Sequence, residues 1–278
     1  MNCILCSGVV KQYAPTSYMG LPINYCKKCD LYATGNSKSE VNEKLFEYYK
    51  ESKWIGTKHY KVMLRTEYAD PESQGKKRQW VSQYAYCKEF LKNHKKILEI
   101  GAGAGQTLYW FEKEGFSVTG IEPDKQSVES INKKLKHGCC MEGFIEDISL
   151  NEKFDIIWLS HVFEHLVRPD LFLEKCKNYL NHDGVLFIEV PNCENKQVLQ
   201  DSIDEPSTFH FSKKSLENMS KKMKFQVVRC DYFRSAKIIE GGKNKLMKKI
   251  LNRNFYPYYP KIITNKISGT DIRIILKN

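Results

Sequence analysis

No apolar run in this sequence approaches the roughly 18–20 residues that a bilayer crossing demands. The stretch Met1-Asn2-Cys3-Ile4-Leu5-Cys6 has no basic segment leading into an apolar one, so no secretory signal is expected and the cytoplasm is the expected compartment. Internal repeats and low-complexity tracts are also lacking, which excludes a repeat architecture. Acid is in short supply: 33 Asp and Glu stand against 44 Lys and Arg, for a net charge of +11. That excess suits nucleic acid, an anionic membrane surface touched peripherally, or a phosphorylated small substrate. The lysines are spread along the whole chain, so charge alone does not choose among these partners.

Cysteine, by contrast, is plentiful, with 10 in 278 residues. Without an export signal this argues for thiols and metal rather than disulfides. Cys3-x-x-Cys6 and Cys26-x-x-Cys29 are separated by nineteen residues, a spacing suited to two metal-binding knuckles. Each pair sets two thiolates on one side of a tight turn, and two facing turns complete a tetrahedron. The expectation is a structural Zn²⁺ site on Cys3, Cys6, Cys26 and Cys29 within a small unit, residues 1–35. Tyr13, Tyr18, Leu21, Ile23 and Tyr25 are expected to form a short hairpin beneath it. So small a unit has little core, and metal binding would supply much of its stability. Cys87, Cys139, Cys140, Cys176, Cys193 and Cys230 are read as small apolar fillers.

Residues 36–95 read as a helical linker and cap. Val41, Leu45, Phe46 and Tyr49 recur at helical spacing, as do Trp80, Tyr84, Cys87, Phe90 and Leu91. Between them Asp70-Pro71-Glu72-Ser73-Gln74-Gly75 is a loop, and Lys76-Lys77-Arg78 is a solvated helix start or an anion contact. These helices are expected to join the small unit to the next domain and to cover the mouth of its ligand site.

From residue 96 to 278 the pattern is α/β. Strands are expected at 97–100, 117–121, 139–144, 153–159, 185–190, 225–232 and 272–276, with helices at 105–114, 126–136, 171–180 and 213–223. The first strand runs into Gly101-Ala102-Gly103-Ala104-Gly105, where a Cβ would hold the backbone off a ligand and forbid positive φ. The second strand ends in Glu122, an acid placed to accept hydrogen bonds from two ribose hydroxyls. Glycine turn plus downstream acid indicates an adenosine cofactor. A dinucleotide fingerprint is not met, because Gln106 fills the slot of its third glycine. Glu99, two residues before the turn, would repel a pyrophosphate but suits the ammonium of an amino-acid-like ligand.

Leu98-Glu99-Ile100-Gly101-Ala102-Gly103-Ala104-Gly105 resembles motif I of class I S-adenosylmethionine-dependent methyltransferases, and the element order from about residue 80 onward is similar to theirs. The resemblance implies a Rossmann-like, seven-stranded sheet that binds S-adenosyl-L-methionine through Glu99, Gly101, Ala102, Gly103, Gly105, Glu122, Pro123, Ile145, Glu146 and Ser160. Relatives often carry an Asp for adenine after the third strand. Phe144 stands in that slot here, so Ile145, backbone groups and Glu146 are expected to take over.

After the fourth strand stands Ser160-His161-Val162-Phe163-Glu164-His165, with His161, Glu164 and His165 at i, i+3 and i+4. It resembles the Glu-His block of ubiquinone-type O-methyltransferases, where some members hold a divalent metal with an acid at the position of His161, and of sugar C-methyltransferases. The resemblance implies that His165, Glu164 and His161 place or deprotonate the acceptor, a histidine serving as base with Glu164 orienting it, or that they hold a metal; the bland alternative is that they brace the strand–helix junction. His210, in Thr208-Phe209-His210-Phe211-Ser212, is expected to serve as base or substrate ligand near Asn192, or else to be a loop histidine.

The leading reading is a methyltransferase for a small-molecule or glycan acceptor. The paired cysteines resemble the zinc unit of sugar C-methyltransferases, which implies a nucleotide sugar or surface-polysaccharide precursor whose phosphates would engage the lysines. An RNA methyltransferase is the alternative, although an Asn/Asp-Pro-Pro-aromatic block is absent and aromatics do not interleave the lysines. A non-catalytic scaffold is the third reading, disfavoured by the intact glycine and acid set. A basic insertion, 237–268, carries Lys243, Lys245, Lys248, Lys249 and Arg253 and reads as a capping helix or a substrate lid.

Overall fold

The computed structural model describes residues 2–50, 74–93, 95–234, 261–263 and 267–278. Nearly all of the basic insertion, and most of the loop expected at 70–75, lie outside these residues. The N-terminal strands are β1 (Lys11–Ala14), β2 (Ile23–Cys26) and β3 (Leu31–Thr34), followed by helix α1 (Lys38–Lys50) and helix α2 (Gln74–Cys87). The α/β domain then runs β4 (Lys96–Ile100), α3 (Gln106–Lys113), β5 (Ser117–Glu122), α4 (Lys125–Lys134), β6 (Cys139–Glu142) and β7 (Phe154–Ser160). A 3₁₀ turn at Phe163–His165 leads to α5 (Pro169–Tyr179), β8 (Leu180–Pro191), α6 (Lys196–Ile203), β9 (Phe209–Phe211), α7 (Lys213–Lys222), β10 (Gln226–Arg234), β11 (Lys261–Ile263) and β12 (Asp271–Lys277).

The main sheet has the order β11-β10-β12-β8-β7-β4-β5-β6. From β8 to β6 the strands are parallel, while β12, β10 and β11 join antiparallel. Seven strands follow the order expected from the sequence. The eighth, β11, is a three-residue edge on β10. Parallel strands covered on both faces carry near-continuous apolar runs, and the middles of β4, β7 and β8 do: Ile97, Leu98, Ile156, Ile157, Leu159, Leu186, Phe187 and Ile188 are all sealed from solvent. His182-Asp183-Gly184, which falls between the helix expected at 171–180 and the strand expected at 185–190, lies inside β8 as an irregularity in its pairing with β7. On one face α2 lays Trp80 against Trp110 and Phe111 of α3, with ring centroids 5.9 and 5.7 Å apart.

The small N-terminal unit is sewn into the domain. Its three strands form an antiparallel sheet whose fourth member is β9, with Leu31 opposite Phe211, Tyr32 opposite His210 and Ala33 opposite Phe209. Ser212 Oγ donates to Asp30 O at 2.7 Å, and Thr34 Oγ1 to Ser207 O at 2.6 Å. Cys3, Cys26, Cys29 and Leu31 belong to the same apolar core as Leu98, Phe163 and Phe211.

Candidate functional site

The glycine turn sits at the carboxyl end of β4, in the centre of the sheet, where ligands of parallel α/β folds bind. Gly101, Gly103 and Gly105 have φ of 69, 55 and 75°, a region L side chains resist. A Cβ on Gly101 would lie 2.4 Å from Val162, and one on Gly105 would lie 2.4 Å from Ile131. Beside Gly103 there is nothing within 4 Å, because its open side faces a cleft. That cleft, about 580 Å³ and partly open to solvent, is lined by Glu99, Gly101, Ala102, Gly103, Gln106 and Ser160, with Gln79, Trp80 and Gln83 of α2 forming its roof.

Glu122 ends β5 almost fully buried, and its two oxygens accept from Gly103 N at 2.8 Å and Asp124 N at 3.1 Å. Burial raises its pKa to about 7 against the pull of those two N–H groups. Glu99 is likewise buried, in the wall of the cleft. Pro123 follows Glu122 and leads into Asp124, whose carboxylate caps α4 by accepting from Ser127 N at 2.8 Å. Farther along the sheet edge Ile145 is buried while Phe144 and Glu146 are exposed. Lys175 Nζ donates to the carbonyls of Ile145 and Glu146 at 2.6 and 3.0 Å and fixes that loop.

Next to the glycine turn, β7 delivers Ser160 and then His161. The backbone of His161 is left-handed, with φ of 56°. Non-glycine residues in this region cost energy and concentrate at functional sites. That turn aims the imidazole into a ring of acids: Nδ1 is 3.6 Å from Glu164 Oε1, and Nε2 is 3.5 Å from Glu189 Oε1 and 3.6 Å from Asp271 Oδ1. Its outer edge stays open, with the side chain 39% exposed. Desolvation opposes the charged imidazole, but the nearby carboxylates of Glu164, Glu189 and Asp271 outweigh it and hold the His161 pKa well above the ordinary value.

Glu189, at the end of β8, is buried and holds its charge. Arg273 of β12 pairs with it through Nε, and Arg273 Nη1 donates to Ser82 Oγ at 2.7 Å. Although burial opposes ionisation, Arg273 and His161 keep the Glu189 pKa far below the usual carboxylate range. Asp271 moves the other way, raised by desolvation and by Glu189. Glu164 is buried in the 3₁₀ turn, and its Oε2 has no hydrogen-bond partner among the described residues.

Of the other two candidate histidines, His165 stands at the margin of this ring and His210 behind it. His165 turns its Nδ1 to Pro206 O at 3.1 Å, with Nε2 3.9 Å from Glu164 Oε1. His210 is buried in β9, its Nδ1 2.6 Å from Ser202 Oγ, and desolvation pushes its pKa down to about 3. Thr208, two residues earlier, donates to the carbonyls of Glu164 and Leu166 at 2.7 Å each. His165 and His210 therefore stand at the joint between the 3₁₀ turn and the small sheet. Asn192 is also buried, donating from its side chain to Gly269 O at 3.0 Å.

Sequence reasoning missed Asp271, Arg273, Gln79 and Gln83, since no motif surrounds them. Only β-sheet register could have pointed to Arg273, which lies directly opposite Glu189.

The four paired cysteines converge as their spacing predicts: one Sγ from each lies within 4.8 Å of the others, and Cys6 and Cys26 are 3.7 Å apart. A Zn²⁺–thiolate tetrahedron with bonds of about 2.3 Å needs sulfurs roughly 3.8 Å apart. The donor set and its spacing fit that ion.

Similar proteins agree with the fold. A ubiquinone biosynthesis O-methyltransferase of Glaesserella parasuis is 35% identical over 111 residues, which are 35% of this chain and 46% of the relative. One from Nitrobacter winogradskyi is 28% identical over 117 residues, 37% of this chain and 44% of its own length. The chain thus spans about half the length of the curated relatives it matches. Among solved structures, a SAM-dependent methyltransferase from Archaeoglobus fulgidus aligns at a TM-score of 0.53 and 18% identity, covering 72% of this chain and 94% of its own. The plantazolicin methyltransferase BpumL in complex with SAH aligns at 0.54 and 17%, covering 86% and 99%. The family model described as "Methyltransferase domain" matches residues 72–229, from α2 through the glycine turn to β10, which is more than half of the chain. On that match this chain belongs to the methyltransferase-domain family.

Proposed function

We propose that the chain transfers a methyl group from S-adenosylmethionine to a hydroxyl of a small acceptor, with His161 taking the acceptor's proton. The observation that carries this reading is the ring of Glu164, Glu189 and Asp271 around a half-open, strained His161, one residue from the Ser160 wall of the glycine cleft. Bound in that cleft, the cofactor supplies a methyl on a positively charged sulfur. Glu99 suits its ammonium, Glu122 its ribose hydroxyls, and Ile145 one face of its adenine. The three carboxylates make His161 a stronger base than a free imidazole, so it withdraws a hydroxyl proton as the oxygen attacks. Transfer in line with the breaking bond needs little more from the protein than this placement.

A polyhydroxylated or nucleotide-linked acceptor is the reading supported by the four-cysteine site together with the +11 charge. A phenolic acceptor is supported by the relatives in ubiquinone biosynthesis. Calorimetry with S-adenosylhomocysteine tests the cofactor: micromolar binding, weakened at least tenfold in Glu122→Ala, is expected, and no binding by the folded protein overturns the proposal. Transfer of labelled methyl to panels of nucleotide sugars and of catechols then separates the two acceptor classes.

A further inference from the structure

Glu189 Oε1 is approached by more donors than it can serve. Gln83 Nε2 reaches it at 2.7 Å, Ser160 Oγ at 3.2 Å, Gln79 Nε2 at 3.4 Å and His161 Nε2 at 3.5 Å. A carboxylate oxygen has about two lone-pair positions, so these four compete. The two closest, Gln83 and Ser160, also hold each other at 2.8 Å and line the glycine cleft. The other oxygen, Oε2, is committed to Arg273 and cannot relieve the crowding.

We propose that Gln83 is a positioning residue that couples occupation of the cleft to the hydrogen bonding of His161, by competing with it for Glu189 Oε1. A ligand entering the cleft meets the amides of Gln79 and Gln83 and the hydroxyl of Ser160 on its roof and wall. Each donor that turns toward the ligand leaves Glu189 Oε1, and the imidazole N–H gains the position. His161 then holds a proton more strongly when the cleft is filled than when it is empty, so occupation of the cleft sets the strength of the base and the pH above which its neutral form is available. Among the described residues, the charged groups facing His161 are Glu164 from the 3₁₀ turn, Glu189 from β8 and Asp271 from β12. Arg273 acts on it through Glu189. Of these four, only Glu189 also bonds groups that line the cleft.

This inference rests on the proposed cofactor reading, and one experiment separates the two. The titration midpoint of His161 is followed by NMR on protein labelled at histidine nitrogens, assigned with His161→Asn, with and without S-adenosylhomocysteine. In the unmutated chain, binding is expected to raise the midpoint by roughly half to one pH unit, the size of gaining one hydrogen bond to a carboxylate. In Gln83→Met the ligand-free midpoint is expected to start near that raised value, and the ligand adds little. Ser160→Ala removes the second competitor and is expected to raise the ligand-free midpoint too, which keeps the test open if Gln83→Met folds poorly. A ligand that binds without moving the midpoint overturns the coupling and leaves the methyltransferase reading standing. So does an equal movement in Gln83→Met. Failure to bind at all removes both.

Discussion

The chain builds two clusters of four titratable groups in opposite ways. The cysteine cluster takes its ligands from two short turns, and its sulfurs gather within 4.8 Å. The His161 cluster takes one residue from each of two neighbouring turns and two more from strands β8 and β12, and its acids meet only through the imidazole. One is a set of like donors that needs a cation to be stable. The other gains a cation of its own whenever His161 is protonated. Four thiolates without an ion repel one another unopposed, whereas an imidazolium and Arg273 offset part of the repulsion among the three carboxylates.

The comparison breaks most severely at the metal. Removing zinc with a strong chelator, or replacing Cys26 with Ser, is expected to destabilise the small sheet by about 3 kcal/mol or more. Because β9 belongs to that sheet, amide exchange should accelerate through Phe209–Phe211 as well as β1–β3. One equivalent of zinc by elemental analysis, lost with the melting temperature, checks this. An unchanged melt after complete chelation would mean that the cysteines do not hold a structural ion.

Next in size is the loss of the base. His161→Asn is expected to lower kcat/KM by about 10²–10⁴-fold. Measured above the folded pKa of His161, its melting temperature should stay level, since asparagine tolerates the left-handed backbone better than most residues. A matched fall in stability would instead mark His161 as a brace. The pH profile sharpens the same point. The folded pKa of His161 is raised, so its contribution to stability is fully present below the ordinary imidazole value near 6.5 and is lost as pH rises through the folded value. Glu189 has the opposite sign: its contribution is present above the usual carboxylate value near 4.5 and is lost as pH falls through its depressed one. Activity should rise along its acid limb with a midpoint above 6.5, and stability should decline over that same interval.

The glycine turn gives a smaller, more local effect. Gly105→Ala introduces a Cβ 2.4 Å from Ile131 at a φ of 75°, which is expected to cost about 1–3 kcal/mol and to weaken S-adenosylhomocysteine binding. Denaturant melts and calorimetry measure both. The smallest effect concerns Glu122. Its folded pKa, near 7, lies above the unfolded value, so the stability it contributes is fully present below about 4.5 and is lost as pH rises through 7. Over that interval the ionised carboxylate becomes available to ribose hydroxyls, and affinity for the nucleoside should improve by less than tenfold, an improvement that Glu122→Gln would abolish.

What the sequence determined by itself are the features encoded locally. The two C-x-x-C pairs, the alternation of aliphatic runs with helical stripes, and the three glycines each depend on residues a few positions apart. Spacing of that kind is visible before folding. His161 and Glu164 were legible for the same reason, being three residues apart, but which histidine faces the acids was not. That choice came from the left-handed turn at His161 and from the carbonyl of Pro206, which draws His165 aside. Only the tertiary structure brought in Asp271 and Arg273. β12 runs antiparallel to β8 in a register that sets Arg273 against Glu189 across 84 positions of sequence. A strand's pairing partner is chosen by the packing of the whole sheet, and no local pattern records it. The same holds for Gln79 and Gln83, which reach Glu189 because the aromatic face of α2 docks Trp80 against Trp110 and Phe111.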